Sequence, residues 1–120
     1  APMGFCFPGL DAHGSDLPPR RECRAHWHDD LFTLAPQIET ILVVGSHAQA
    51  YHLRRLGHVP VKGEGMTGLV RRWRDFAHRR PLLIPLPHPS WRNSGWLKRN
   101  PWFEAELLPG LRAAVREALE

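Results

Sequence analysis

The segment Pro85-Leu86-Pro87-His88-Pro89-Ser90-Trp91-Arg92-Asn93 holds the residues best suited to chemistry. His88 stands between two prolines, each of which fixes its own φ and restricts the residue before it. A histidine so confined aims its imidazole in one direction. Trp91 and Arg92 follow, one suited to stacking on a base and the other to gripping a phosphate. A stiff histidine loop tipped with Trp and Arg reads as a device for handling a nucleotide. The plainer alternative is a proline-rich connection carrying a surface histidine.

The only cysteines are Cys6 and Cys23. In a cytosolic chain a structural disulfide between them is not expected. Two thiolates supply half of a four-cysteine metal or cluster site. With His26 and His28 close by, a zinc site of two cysteines and two histidines is a further option. The spacing opposes it, because all these side chains do not converge on one continuous helix. Two unpaired thiols are the plain alternative. His47, His52 and His58 read as surface or helix-face residues, and His13 falls in a loop. The turn Gly45-Ser46-His47-Ala48 lacks the Gly-x-Ser-x-Gly elbow of a hydrolase nucleophile. It also lacks the glycine-rich patterns that cradle a nucleotide cofactor.

Composition bounds what these residues can belong to. At 120 residues there is room for one modest core, and 42% hydrophobic residues exclude disorder by composition. No apolar run approaches a membrane span, and no signal peptide is visible, so an intracellular, cytoplasmic protein is expected. The formal charge of +4 is mildly basic and suits a polyanion. Its clustering says more. Arg71-Arg72-Trp73-Arg74 leads to His78-Arg79-Arg80, and Arg92, Lys98 and Arg99 surround the histidine loop. Two clusters near one site point towards nucleic acid, against the plain reading of solvated helix faces.

The elements that must position the loop follow from periodicity. Pro19 opens a helix to about Leu34, with Cys23, Trp27, Leu31 and Leu34 as its apolar stripe. Thr40-Ile41-Leu42-Val43-Val44 is a short β-branched run with the signature of a strand buried on both faces. Ser46 caps the next helix, with Gln49 completing a capping box, and Gly57 stops it. Residues 59–68 form a flexible connection. Thr67 caps a helix to about Ala77, and residues 82–86 are a second buried strand. The histidine loop follows, with a turn at Gly95. Pro101 begins a last amphipathic helix whose stripe is Phe103, Leu107, Leu111, Ala114 and Leu119. Residues 3–7 are a third, weaker strand candidate. Strands alternating with helices predict an α/β fold with a parallel sheet flanked by helices. A sheet this thin, behind a core-like first segment, predicts one domain over residues 1–120 that is N-terminally incomplete.

Three segments, in order, give the chain a family resemblance. Gly4-Phe5-Cys6-Phe7-Pro8-Gly9 with Asp16-Leu17-Pro18-Pro19-Arg20-Arg21-Glu22-Cys23 looks like a segment bearing two cluster cysteines. Leu42-Val43-Val44-Gly45-Ser46-His47-Ala48-Gln49 looks like a central strand, turn and helix. His88-Pro89-Ser90 matches a catalytic motif. Together they resemble the C-terminal portion of the uracil-DNA glycosylase superfamily, in particular the bacterial branch related to the iron–sulfur uracil-DNA glycosylases.

The resemblance implies a three-layer α/β/α domain and DNA repair by base excision. Uracil is flipped out of single- or double-stranded DNA, and water breaks its N-glycosidic bond. His88 would then donate a hydrogen bond to the uracil carbonyl as charge develops on the departing base. Ser90 would hold a DNA phosphate, and Trp91, Arg92 and Asn93 would lie on the loop entering the DNA. Cys6 and Cys23 would be two of the four ligands of a 4Fe–4S cluster in a full-length form. The chain departs from the pattern in lacking the Gly-x-x-Pro-Gly segment that positions the attacking water, the aromatic that stacks on uracil and the upstream cysteine pair. Pro2 stands where the iron–sulfur branch has a uracil-reading Asn. A chain inactive on its own is therefore expected. A non-catalytic DNA-binding module or a degenerate glycosylase remnant is the alternative.

Overall fold

The computed structural model describes residues 1–58 and 61–120, with Trp91 described by its backbone alone. Val59 and Pro60, the first residues of the expected connection, lie outside the described residues. The chain divides into two compact units, Ala1–Ile38 and Glu39–Glu120.

The first unit is mostly loop, followed by helix α1 (Arg21–Thr33). Its loop is tied by Asp11, whose Oδ1 accepts the backbone N–H groups of His13 (2.8 Å) and Ser15 (3.0 Å). A single antiparallel bridge joins Leu10 to Asp16. Residues 3–7 form no strand, which corrects that expectation. The helix falls where Pro19 and Pro36 bracket it, but its apolar stripe does not make a core. Trp27, Leu31 and Leu34 are exposed, and the residue of α1 that is fully buried is His28. The His28 ring lies 5.4 Å from that of Phe5 and 6.3 Å from that of Phe32.

The second unit is an α/β layer structure. Strand β1 (Thr40–Val44) pairs in parallel with β2 (Leu82–Leu86), Thr40 opposite Leu82 and Val44 opposite Leu86. Both strands occupy the residues expected of them. The chain between them carries α2 (Ser46–Arg55), α3 (Gly65–Arg71) and a 3₁₀ turn at Trp73–Phe76. Beyond β2 come a 3₁₀ turn at Trp91–Asn93, α4 (Ser94–Arg99), a wide π-type turn at Phe103–Leu107 and α5 (Leu108–Leu119).

Alternation along the strands decides the layers. Ile41, Val43 and Leu83 point to one face, where they meet Leu69, Phe76 and the α2 residues Ala48, Leu53 and Leu56. Ile84 points to the other, against Val70, Trp96, Phe103 and Leu107. Leu42 (43% exposed) and Val44 (38% exposed) share that second face, so β1 is buried on one face only. The expectation of a strand buried on both faces is corrected there. A run of four aliphatics cannot by itself reveal that its alternate members are half open to solvent.

Pro85 sits inside β2 opposite Val43 without breaking the ladder. The Leu82 N–H donates to Glu39 O (2.8 Å), so the even-numbered residues of β2 turn their N–H groups to β1. Pro85 therefore presents its missing donor on the outer side, where no ladder among the described residues needs it.

Several element ends differ from expectation for local reasons. α2 ends as expected, in a Schellman arrangement: Gly57, at φ +81°, bonds back to Arg54 O (3.1 Å), and His58 N to Leu53 O (2.9 Å). α3 begins at Gly65, so Thr67 is internal rather than capping, and its Oγ1 accepts the indole N–H of Trp96 at 2.8 Å. Gly95 lies within α4, not in a turn. The last helix does not run straight from Pro101. Pro109 lacks a donor and its ring crowds the carbonyl four residues back, which accounts for the wide turn at Phe103–Leu107 just upstream. Phe103 and Leu107 of the expected stripe are buried, whereas Leu119 is exposed.

α3 is anchored by a partly buried fork: Arg72 donates Nε and Nη2 to the two carboxylate oxygens of Glu64, with its guanidinium 5.1 Å from the Phe76 ring centroid. Glu64 holds the Arg72 guanidinium above its ordinary range, chiefly by that hydrogen bond. α5 packs on Trp73 through Gly110, where an added Cβ would stand 2.6 Å from the ring. Gly110→Ala is expected to cost about 1–3 kcal/mol by overpacking, measured as a lower urea midpoint at unchanged slope. An unchanged midpoint would show that α5 does not pack on Trp73 this closely.

Candidate functional site

Ligands of open parallel sheets bind beyond the carboxyl ends of the strands. Here those ends are Val44 and Leu86, and each leads into a segment rich in chemistry: Gly45-Ser46-His47 after β1, Pro87-His88-Pro89-Ser90 after β2.

Gln49 makes that edge. It is 1% exposed and lies one turn into α2. Its Nε2 donates to Leu86 O at 2.8 Å and to Val43 O at 3.4 Å. The Gly45 N–H donates to the same Leu86 carbonyl at 2.9 Å. The predicted capping box is therefore corrected. The helix is capped from Gly45 with no side-chain hydrogen bond, and Gln49 turns to the sheet instead. The reason lies at Gly45, whose φ of +85° swings the chain from strand to helix in one residue. That abrupt entry lays the first turn of α2 over the strand ends. A Cβ at Gly45 would sit 3.8 Å from His88 Cβ, so the two segments are in van der Waals range.

The His88 loop is closed on itself. Asn93 donates Nδ2 to His88 O, and its backbone N–H donates to Ser90 O at 2.9 Å. Ser90 Oγ accepts the Arg92 N–H at 3.2 Å and opens the short 3₁₀ turn. Four of the five residues expected at this site are thus described in one loop. His88 and Arg92 are exposed, Ser90 and Asn93 half-buried, and the Trp91 side chain lies outside the described residues. Asn93 holds the loop's shape through its side chain, a role that spacing alone does not reveal.

Behind the loop lies an apolar cleft of about 300 Å³. Val44, Leu86, Leu97, Phe103 and Leu111 form its wall, with His88 and Ser90 among its lining residues. The half-open face of β1 is one side of it. An imidazole beside an apolar cleft can donate a hydrogen bond to a flat polar ring held there.

The Arg79-Arg80 end of the basic cluster at residues 71–80 does not converge here, a second correction, whereas the Arg71 guanidinium lies 5.6 Å from the centroid of the Trp102 ring just beyond α4. Arg92, Lys98 and Arg99 are on the loop and on α4. Arg79 and Arg80 precede β2 and so stand at the opposite, amino edge of the sheet, about 13 Å of strand away.

In the first unit, Cys6 and Cys23 line one cleft with Arg20, Glu22, His26 and Trp27. The Cys23 sulfur accepts the Phe5 N–H at 3.2 Å. Glu22 and Arg20 pair at 2.8 Å on its exposed rim, and the guanidinium holds the carboxyl below the ordinary range. Among the described residues no three His, Cys, Asp or Glu side chains are close enough to hold a metal. The zinc option using His26 and His28 gains no support, and His28 is buried beside phenylalanine rings.

The model of the uracil DNA glycosylase superfamily matches residues 3–112. The chain belongs to that superfamily, and its parallel sheet flanked by helices agrees with a uracil-DNA-glycosylase-like domain. No helix among the described residues is long and apolar enough to cross a membrane.

Sequence reasoning missed Gln49 and Asn93 as positioning residues. One signal was present for Gln49: it sits a single turn after a strand that ends in Gly. Gln49→Leu, which removes the second donor from Leu86 O, is expected to lower stability by about 0.5–1.5 kcal/mol in urea titration. A loss within error would mean that the strand ends hold together without it.

Proposed function

We propose that this chain carries the leaving-group half of a uracil-DNA glycosylase. The observation behind the proposal is the placement of His88, exposed beside an apolar cleft at the carboxyl ends of both strands, in a chain matched to the superfamily over residues 3–112.

A uracil flipped from the DNA stack is flat, with polar edges, and suits an apolar cleft with a donor at its rim. As the bond to the sugar breaks, negative charge gathers on the base. A donor fixed in advance towards that charge lowers the barrier, since no reorganisation is needed during reaction. The loop supplies that fixity through two prolines and the Asn93 clamp. Ser90 Oγ accepts one N–H and keeps its own hydroxyl proton for a DNA phosphate. Arg92 supplies a cation at the loop tip, and Trp91 a ring to fill the space that the base vacates. Water activation has no assigned residue, because the Gly-x-x-Pro-Gly segment is absent from these 120 residues.

The same reading extends to Cys6 and Cys23. We propose them as two ligands of an iron–sulfur cluster of the kind found in the bacterial iron–sulfur branch. Their shared cleft and the N–H donated to Cys23 support this. Two thiolates do not complete a cluster, so no step of the reaction is assigned to one. A longer form that brings two further cysteines, prepared without oxygen, should hold iron and acid-labile sulfide in equal amounts, and Cys23→Ser in it should lose both. Iron unchanged by Cys23→Ser would remove Cys23 from the set.

For the chemistry, the purified chain is expected to release no uracil from single- or double-stranded DNA. In any longer form that is active, His88→Ala should lower excision by about 100- to 1,000-fold, the effect of losing one preorganised donor. Release by the 120-residue chain would assign water activation to residues now without that role. Excision unchanged by His88→Ala would end the role given to His88. Salt-sensitive DNA binding with no excision by any form would favour the non-catalytic module instead.

A further inference from the structure

The function proposed above uses Arg92 at the carboxyl edge and leaves the second basic cluster unexplained. The fold adds to that cluster at the amino edge. Helix α2 leaves the carboxyl end of β1 and returns, so its last turn, with Arg54 and Arg55, arrives at the amino edge. There the His58 ring meets that of Phe76 edge-on at 4.8 Å, and the Arg79 N–H reaches Phe76 O at 3.5 Å. Two segments far apart in sequence thus bring their arginines to one place. Burial, then the charges of Arg79 and Arg72, holds the His58 imidazole below its ordinary range, a local sign of positive potential.

Compensation is incomplete. Glu64 and Asp75 are both engaged by Arg72, Asp75 at 3.6 Å. Glu39, the residue before β1, adds a carboxylate to this edge. Among the described residues no carboxylate pairs with Arg54, Arg79 or Arg80, and all three are exposed. Arg80 reaches only the Arg79 carbonyl, at 3.3 Å. Helix-dipole complementarity explains a cation in the last turn of α2, but not the adjacent pair before β2.

We infer that the amino edge of the sheet, through Arg54, Arg79 and Arg80, is a second contact for the DNA backbone, separate from the edge that carries His88. The inference rests on DNA being the partner. Arginine rather than lysine suits phosphate, because its planar fork binds two oxygens at once. Such a contact carries no base information and adds affinity at any sequence.

The test is binding of the full chain to short labelled duplexes, with and without uracil, across a series of salt concentrations. Arg79→Ala with Arg80→Ala should flatten the salt dependence of log K by about 2, close to one unit per phosphate contact. Affinity should fall at least tenfold, equally on both duplexes. Arg79→Lys with Arg80→Lys should restore the salt slope while recovering only part of the affinity, which a folding defect would not allow. Unchanged affinity and slope in the alanine variant, alongside weakened binding by Arg92→Ala, would overturn the inference and leave the proposed function standing. Absence of DNA binding by the parent chain would overturn both. Binding of polyglutamate, but not DNA, through these arginines would reassign the edge to an acidic protein and overturn the DNA contact.

Discussion

At the carboxyl ends of β1 and β2 the Gly45 N–H closes the backbone ladder onto Leu86 O, and the side-chain amide of Gln49 adds a second donor to that carbonyl. It reaches the carbonyls of Val43 and Leu86, 43 residues apart in the chain, from a helix that starts two residues after β1. The amide thereby ties α2 to the last residue of β2 and shapes the edge of the sheet. Every later feature of the candidate site depends on it. It fixes the end of β2, from which the His88 loop departs. It also holds the first turn of α2 against the loop, with Gly45 alone able to adopt the backbone angle that this approach needs.

The loop then needs little further support. Pro87 and Pro89 remove backbone freedom, and Asn93 closes the turn onto the His88 carbonyl. Beneath it, Trp96 packs with Phe103 and is tied by its indole N–H to Thr67 of α3. The floor of the cleft is therefore part of the core of the second unit, and the histidine beside it rests on a rigid base. This is the arrangement that a donor aimed at developing charge requires.

Much of this was legible in the sequence. Both strands were readable to the residue, because a short aliphatic run ending in Gly and a second ending in a proline-rich loop leave little choice of boundary. His88 stood out for its two prolines. What was not legible was set by tertiary contact. Thr67 and Gln49 have the chemistry of helix caps, and each was drawn instead to a distant partner, an indole in one case and strand carbonyls in the other. The wide turn before α5 reflects Pro109, a breaker placed inside an amphipathic stripe that reads as continuous. The separation of Arg79 and Arg80 from the His88 loop depends on strand direction, which no local pattern encodes.

The central claim is that the carboxyl edge around His88 receives the uracil of DNA. It is tested most directly by following the imidazole proton–nitrogen resonances of His88 by nuclear magnetic resonance while DNA is added. Uracil-containing DNA should shift the His88 signals, and the same strand with thymine should leave them nearly unmoved. Equal shifts with both strands, or none while other residues respond, would contradict the account.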